Sequence, residues 1–248
     1  MPQTVRVRVR RQDRPGSDER WEEFAVPYVP SMNVIYCLME IQRNPVTAAG
    51  VKTTPVVWEA HCLEEVCGAC TMIVNGRVRQ SCSALVDKLE QPITLAPMTK
   101  FPVVRDLQVN RGRMFSDLIK IKGWIPIQGT YDLGPGPRIA SDQQEEVYKL
   151  STCMTCGCCL EVCPNVNSRS SFIGPAAISQ ARLFNSHPTG AMNAGERLDA
   201  LMEPGGISEC GNAQNCLEAC PKEIPLTTSI GTMGRDVTLH AIRKLLGT

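Results

Sequence analysis

Cysteine spacing constrains this chain more than any other feature of its sequence. Thirteen of the 248 residues are cysteine, and most of them fall into groups with short, regular spacing. The N-terminus has arginines but no apolar segment behind them, so we expect no secretory signal and a reducing compartment. Disulfides are rare under reducing conditions. Metal binding is therefore the first interpretation of these cysteines.

The first group has the spacing C-x4-C-x2-C-x11-C and consists of Cys62, Cys67, Cys70 and Cys82. Plant-type 2Fe–2S ferredoxins have C-x4-C-x2-C followed by a more distant cysteine. Gly68 and Ala69 lie between two of the ligands, where a small residue permits backbone N–H groups to approach the sulfurs. Zinc sites usually combine separate C-x2-C pairs, so zinc is the weaker alternative. The group predicts a 2Fe–2S cluster.

A hairpin explains how the distant fourth cysteine reaches this site. Asn75-Gly76 separates Thr71–Val74 from Arg77–Gln80, which is a strong signal for a two-residue turn. The turn pairs position 74 with 77 and places position 70 opposite 81. We therefore expect Cys82 to return beside Cys70.

The second group has the spacing C-x2-C-x2-C-x3-C-P, which is typical of bacterial ferredoxins. In two-cluster ferredoxins the fourth cysteine of each run binds the other cluster, so a second run is expected. Cys220-Pro221 ends that second run. Counting back with the same spacing reaches Cys216, Ala213 and Cys210. One thiolate is therefore missing, at Ala213.

The crossed pattern predicts two clusters of different nuclearity. Four thiolates suit a 4Fe–4S cluster. Its predicted ligands are Cys153, Cys156, Cys159 and Cys220. Three thiolates suit a 3Fe–4S cluster, and position 213 then sets its nuclearity. The predicted ligands of this third cluster are Cys163, Cys210 and Cys216.

Two cysteines remain outside these sets. Cys37 lies in a predicted helix and is interpreted as a small core residue. Cys158 is out of register with the ligand spacing and is interpreted as structural, with a hydrogen bond near a cluster sulfur as the alternative.

Periodicity in the remaining sequence predicts an α+β protein. The first half is strand-rich and the second half helical, with a Gly- and Pro-rich boundary near 126–140. We therefore predict one domain over 1–125 and another over 141–248. The predicted strands are Thr4–Arg10, Phe24–Tyr28, Thr53–Ala60 and the hairpin. The predicted helices are Met32–Ile41 with Ser31 as its N-cap, Ser141–Leu150, Pro175–Asn185 and Asn193–Met202.

Charge and motifs narrow the function to electron transfer. The net charge of +1, without long charged blocks, removes the electrostatic argument for nucleic-acid binding. We find no apolar segment long enough to span a bilayer and no motif for a dinucleotide, a P-loop or a zinc protease. Iron–sulfur clusters carry single electrons, so a two-electron donor and an acceptor must lie on other chains. The open alternatives are the iron–sulfur subunit of another oxidoreductase and, more distantly, a zinc-binding interaction module.

The three spacings in this order, with Phe172–Ala176 and Cys220–Lys222, resemble the iron–sulfur subunit of succinate dehydrogenase and fumarate reductase across essentially the whole chain. The resemblance implies an N-terminal β-grasp, plant-ferredoxin-like domain and a helical dicluster ferredoxin domain. It implies a flavoprotein partner whose FAD oxidises succinate to fumarate, and a membrane anchor at which quinone is reduced. Electrons would pass through the 2Fe–2S, 4Fe–4S and 3Fe–4S clusters in that order. The opposite direction, fumarate reduction, stays open.

The sequence departs from the ubiquinone-type branch of this family at two positions. That branch has Trp after the fourth cysteine of the first run and His after the first cysteine of the second. Here Pro164 follows Cys163 and Gly211 follows Cys210, so that quinone site is not carried over. The segments 165–168 and 183–192 look more like the Gram-positive type, which implies one cytochrome b anchor with haem b and menaquinone. The resemblance thus implies a peripheral location on the cytoplasmic face of the membrane.

Overall fold

The structure is a computed structural model that describes residues 4–125 and 138–247. It divides into two compact units. The first runs to Arg111 and includes Met154–Glu161, and the second comprises Gly112–Cys153 and the chain from Val162 onward. Most of the predicted boundary at 126–140 lies outside the described residues. Within the described ranges, we find no helix with the length and apolar character needed to cross a membrane.

The first unit is built on a five-stranded mixed sheet with the strand order β2-β1-β5-β3-β4. β1 pairs antiparallel with β2 and parallel with β5, and one helix packs beside the sheet. Together with the helical second unit this confirms the α+β class. The strands are β1 (Thr4–Arg11), β2 (Arg20–Pro27), β3 (Thr71–Val74), β4 (Arg77–Gln80), β5 (Ile93–Ala96), and the separate pair β6 (Val103–Arg105) and β7 (Gln108–Val109). The helical segments are α1 (Val34–Arg43), the 3₁₀ turn Val86–Lys88 and α4 (Cys158–Glu161).

The hairpin has the predicted register. β3 and β4 pair position 74 with 77 and 72 with 79, and Asn75 and Gly76 both have positive φ. The Ser81 N–H then donates to the Cys70 carbonyl at 3.2 Å. The short turn therefore brings the chain that carries Cys82 back to Cys70, as the sequence predicts.

Two local predictions in this unit are wrong. The N-cap of α1 is Asn33, whose side chain accepts from the Tyr36 N–H, and Ser31 instead has φ of 64° in the preceding turn. The predicted strand Thr53–Ala60 is irregular. Pro55 cannot donate to a strand ladder.

A buried ion pair, rather than pairing with a neighbouring strand, holds the segment Thr53–Ala60 in place. Arg11 and Asp106 have fully buried side chains and form an ion pair at 2.9 Å. Arg11 also donates to the Thr54 carbonyl at 3.1 Å, and Asp106 accepts the Val57 N–H at 2.9 Å. Side-chain contacts that no local pattern encodes therefore direct this segment toward Cys62.

The second unit is helical. The three predicted helices are present, each within one residue of its predicted bounds, and the described part of this unit contains three further helices that were not predicted. The helices are α2 (Gly112–Lys120), α3 (Ser141–Ser151), α5 (Gly174–Ser186), α6 (Ala194–Met202), α7 (Asn215–Ala219) and α8 (Leu226–Leu246). Short 3₁₀ turns occupy Gly190–Asn193 and Ile207–Glu209. α5 and α8 pack against each other.

Asp117 in α2 gives this unit a specific pH dependence. Burial raises its pKa to about 6, and the Arg113 guanidinium, 3.7 Å away, only partly opposes the shift. A raised pKa in the folded state contributes stability that is complete below about pH 4 and is lost as the pH rises through about 6. Asp117→Asn should therefore raise the free energy of unfolding at pH 7.5 by about 2 kcal/mol. Denaturant titrations between pH 5 and 8 test this.

The gain from Asp117→Asn should shrink as the pH falls toward 5. Asp18→Asn, which removes an exposed carboxylate, is the control and should change stability little at any pH. A gain that is constant across the pH range would contradict the role of Asp117 ionisation.

Candidate metal centres

The loop that follows Cys62 points backbone N–H groups at the Cys62 sulfur. The N–H groups of Glu64, Val66 and Cys67 donate to it at 3.5, 3.3 and 3.3 Å. Leu63 and Glu65 adopt left-handed φ values of 62° and 58°, which turn successive N–H groups inward. These hydrogen bonds lower the pKa of the Cys62 thiol to about 7. The loop therefore favours the thiolate, which is the form that binds metal.

The other three cysteines of the first group meet at the same place. The Ala69 N–H donates to the Cys67 sulfur at 3.4 Å. Burial and the hydrogen bond between the Cys82 thiol and Cys70 raise the pKa of Cys82 to about 11, and Cys62 lies close enough to add to the shift. The first unit thus gathers the four predicted ligands, and four thiols with N–H donors are a donor set that fits a 2Fe–2S cluster.

Gly68 lies in tight contact with the segment that carries Cys156. A Cβ added to Gly68 would be 2.7 Å from the Cβ and 2.8 Å from the Cα of Cys156, and φ at Gly68 is 69°. Only a glycine adopts this conformation at such a distance without displacing its neighbour. The sequence suggested that Gly68 lets N–H groups approach a sulfur; its position shows a second use, close approach to another ligand segment.

Cys158 hydrogen-bonds beside one of the predicted ligands. Its thiol donates to Cys156, which lowers the pKa of Cys156 to about 7 and, together with burial, raises the pKa of Cys158. The Gln80 side chain donates to the Cys158 sulfur at 3.5 Å. Cys158 thus remains a thiol that donates a hydrogen bond to Cys156. This is the role that the sequence left as the alternative to a purely structural one.

The predicted 4Fe–4S ligands are divided between the two units. Cys156 and Cys159 are buried residues of the first unit. Cys153 and Cys220 belong to the second unit, where the Cys220 sulfur accepts the Ile224 N–H at 3.4 Å. The grouping of these four cysteines therefore stays a prediction from their spacing.

A pocket in the second unit contains the three cysteines predicted for the third cluster. It is a small concave site that opens to solvent. Its lining includes Cys163, Cys210, Cys216 and Ala213. Burial raises the pKa of Cys216, and the proximity of Cys163 and Cys210 adds to the effect. Three thiols and a methyl group around one concave space are a donor set that fits a cluster with three protein ligands.

The loop with Ala213 has an unusual backbone. Asn212 and Gln214, on either side of Ala213, have positive φ values of 53° and 63°. The Asn165 side chain donates to the Glu209 carbonyl at 2.5 Å, which fastens the start of this loop. No periodic sequence pattern predicts such a loop. Only the spacing of the cysteines indicated its position.

The remaining cysteine is a core residue. Cys37 is fully buried in the hydrophobic core of the first unit, and burial raises the pKa of its thiol to about 12. All 13 cysteines lie in the described ranges, and none of them forms a disulfide. In the same ranges, no group of three or more His, Cys, Asp or Glu residues has the arrangement for a single metal ion.

Comparisons with known proteins agree on both halves of the chain. Residues 6–116 match a family model described as a 2Fe-2S iron-sulfur cluster binding domain. Residues 149–224 match a family model described as a 4Fe-4S dicluster domain.

Individual proteins match over nearly the full length. The chain is 62% identical over 245 residues to the succinate dehydrogenase iron-sulfur subunit of Bacillus subtilis, covering 99% of this chain and 97% of the relative. It is 26% identical over 224 residues to the fumarate reductase iron-sulfur subunit of Wolinella succinogenes, covering 89% and 91%. Among solved structures, a chain of the Mycobacterium smegmatis Sdh1 complex in the apo form matches with a TM-score of 0.76 and 24% identity over 96% of both chains. That last similarity concerns the fold alone.

Proposed function

This chain belongs to the family of succinate dehydrogenase iron–sulfur subunits, and on that premise we propose which of its residues hold the electron carriers and in what order. The chain has no substrate chemistry of its own. It transfers electrons, one at a time, between a partner that oxidises succinate and a quinone. The observation that carries the proposal is that the cysteines grouped by spacing also converge in space, at Cys62 in the first unit and at Cys216 in the second.

We assign the three ligand sets as the spacing predicts. The 2Fe–2S set is Cys62, Cys67, Cys70 and Cys82. The 4Fe–4S set is Cys153, Cys156, Cys159 and Cys220. The 3Fe–4S set is Cys163, Cys210 and Cys216, with Ala213 at the position without a ligand.

When bound, the clusters supply one-electron redox chemistry with potentials set by cluster type, charge and hydrogen bonding. The protein chain controls the charge and the hydrogen bonding around each cluster. The N–H groups around Cys62 stabilise negative charge on sulfur, and the thiol of Cys158 does the same for Cys156. Burial at Cys70 and Cys82 keeps water from one part of the first set, whereas Cys67 is exposed.

The partners follow from the electron path. We propose an FAD-containing flavoprotein as donor and a membrane-anchor cytochrome b subunit with haem b as the place where quinone accepts the electrons. Pro164 and Gly211 stand where the ubiquinone type has larger side chains, which favours menaquinone. The chain then functions as a peripheral subunit on the cytoplasmic face of the membrane, and the identity of 62% to a succinate dehydrogenase against 26% to a fumarate reductase favours succinate oxidation.

Purification from membranes tests this proposal. We expect the chain to co-purify with a flavoprotein and a haem b protein, and to contain roughly nine iron atoms per chain with acid-labile sulfide. Electron paramagnetic resonance (EPR) should distinguish three clusters, and succinate should reduce the first of them.

Zinc without acid-labile sulfide would contradict the proposal and support a zinc module instead. A chain with iron and sulfide but without a flavoprotein partner would point to another oxidoreductase. Fumarate reduction that exceeds succinate oxidation with the bound quinone would reverse the assigned direction.

A further inference from the structure

Arg111 clamps the backbone of the first ligand loop. Its guanidinium donates to the Gly68 carbonyl at 2.6 Å, to the Ala69 carbonyl at 2.5 Å and to the Thr71 carbonyl at 3.5 Å. Gly68 and Ala69 separate the two ligands Cys67 and Cys70. The planar fork of an arginine can hold adjacent carbonyl groups at once, which a lysine cannot do.

The contacts of Arg111 leave its charge uncancelled. Its three acceptors are neutral carbonyl oxygens. Its Nε is buried and has no hydrogen-bond partner in the described part of the chain. A half-buried positive charge with such partners acts over a longer distance than a charge in water, because the surrounding dielectric constant is lower.

The same charge reaches the second ligand segment. Gly68, which Arg111 holds, is in tight contact with Cys156. Arg111 is also close enough to Cys156 for its charge to act on that residue. One guanidinium therefore lies beside a loop of the 2Fe–2S set and a residue of the 4Fe–4S set.

We propose that Arg111 is a positioning residue that fixes Gly68 against Cys156 and, through its permanent positive charge, raises the reduction potentials of the clusters held by the first and second ligand sets. This inference rests on the proposed function, because it assumes that those sets hold clusters. Adding an electron makes a cluster more negative, so a nearby positive charge favours the reduced form. No residue of the third set is among the hydrogen-bond partners of Arg111 in the described part of the chain, so this set serves as an internal reference.

Redox titration of the purified complex, followed by EPR, tests the proposal with Arg111→Gln. At a fixed ambient potential, we expect the ratio of reduced to oxidised 2Fe–2S cluster to fall about tenfold, which equals about 59 mV for a one-electron couple. The 4Fe–4S cluster should shift in the same direction, and the 3Fe–4S cluster should shift less than twofold. Arg111→Lys should restore the ratio to within threefold of wild type while lowering thermal stability, since one amine cannot hold both short carbonyl contacts.

Arg113→Gln is the matched control. Arg113 lies two residues along, donates to the Phe172 carbonyl at 2.7 Å and has Asp117 to balance its charge. This variant should leave the first two potentials within twofold of wild type. Unchanged potentials in Arg111→Gln, or an equal shift in Arg113→Gln, would overturn the proposal.

If Arg111→Gln assembles poorly, Arg111→Lys tests the proposal instead. This variant keeps the positive charge but removes the two-pronged hydrogen bonding of the guanidinium. A tenfold fall in the Lys variant would overturn the electrostatic role, and retained potentials with a lower thermal midpoint would support both parts. Absence of cluster signals in the wild-type protein would instead defeat the proposed function, so the two failures are distinguishable.

Discussion

Replacing Ala213 with cysteine is expected to abolish the EPR signal of the oxidised 3Fe–4S cluster. Ala213 lines the same pocket as Cys163, Cys210 and Cys216, and its side chain faces open space rather than packed core. A thiol there completes the four-cysteine run and offers a ligand for a fourth iron. The signal should fall at least tenfold. The potential should fall by at least about 59 mV, the tenfold step of a one-electron couple, and succinate–quinone activity should fall with it.

Ala213→Ser is the control for this change. It adds an atom of similar size without a thiol, so the three-iron signal should persist at its wild-type intensity. If Ala213→Cys also kept that signal, the missing cysteine would not determine the nuclearity of this cluster. The geometry of the flanking residues Asn212 and Gln214 would then be the next explanation to test.

Replacing Gly68 with alanine should destabilise the first unit by about 3 kcal/mol. A left-handed conformation costs an alanine about 1 kcal/mol. The new Cβ would also lie 2.7 Å from Cys156, and overpacking of this kind costs about 1–3 kcal/mol. Calorimetry of the purified complex, with the 2Fe–2S signal as a parallel measure of assembly, checks the expectation.

Gly50→Ala separates the two contributions. Gly50 has φ of 80°, close to the 69° of Gly68, but a Cβ there meets no atom within 4 Å. It should therefore show only the conformational cost of about 1 kcal/mol. Equal destabilisation by the two variants would show that the contact with Cys156 contributes nothing.

Short-range chemistry accounts for what the sequence predicted well. The Asn75-Gly76 turn and the alternation of β1 are complete within a few residues, and their register follows directly. Ligand spacing is equally local, because each short run must bend around one site. The spacing therefore predicts the ligand sets as sets, although it does not predict their geometry.

Long-range contacts account for what the sequence could not supply. The segment near Thr54 has the composition of a strand, but Arg11 and Asp106, which are 95 residues apart, hold it in an irregular conformation. Leu63 and Glu65 adopt left-handed conformations that the loop imposes, since neither residue favours them. The clamp by Arg111 likewise joins positions about forty residues apart, and no periodic pattern marks such a partner.

The inclusion of Met154–Glu161 in the first unit sets an order on synthesis. The five strands of the sheet are complete once β5 has left the ribosome, but this unit gains its last segment only after residue 161 has emerged. At bacterial and eukaryotic elongation rates, the interval between residues 111 and 161 lasts roughly 3–10 s. During that interval Gly68 is not yet in contact with the Cys156 segment. We therefore expect the nascent chain to offer its first ligand loop to iron delivery before its second.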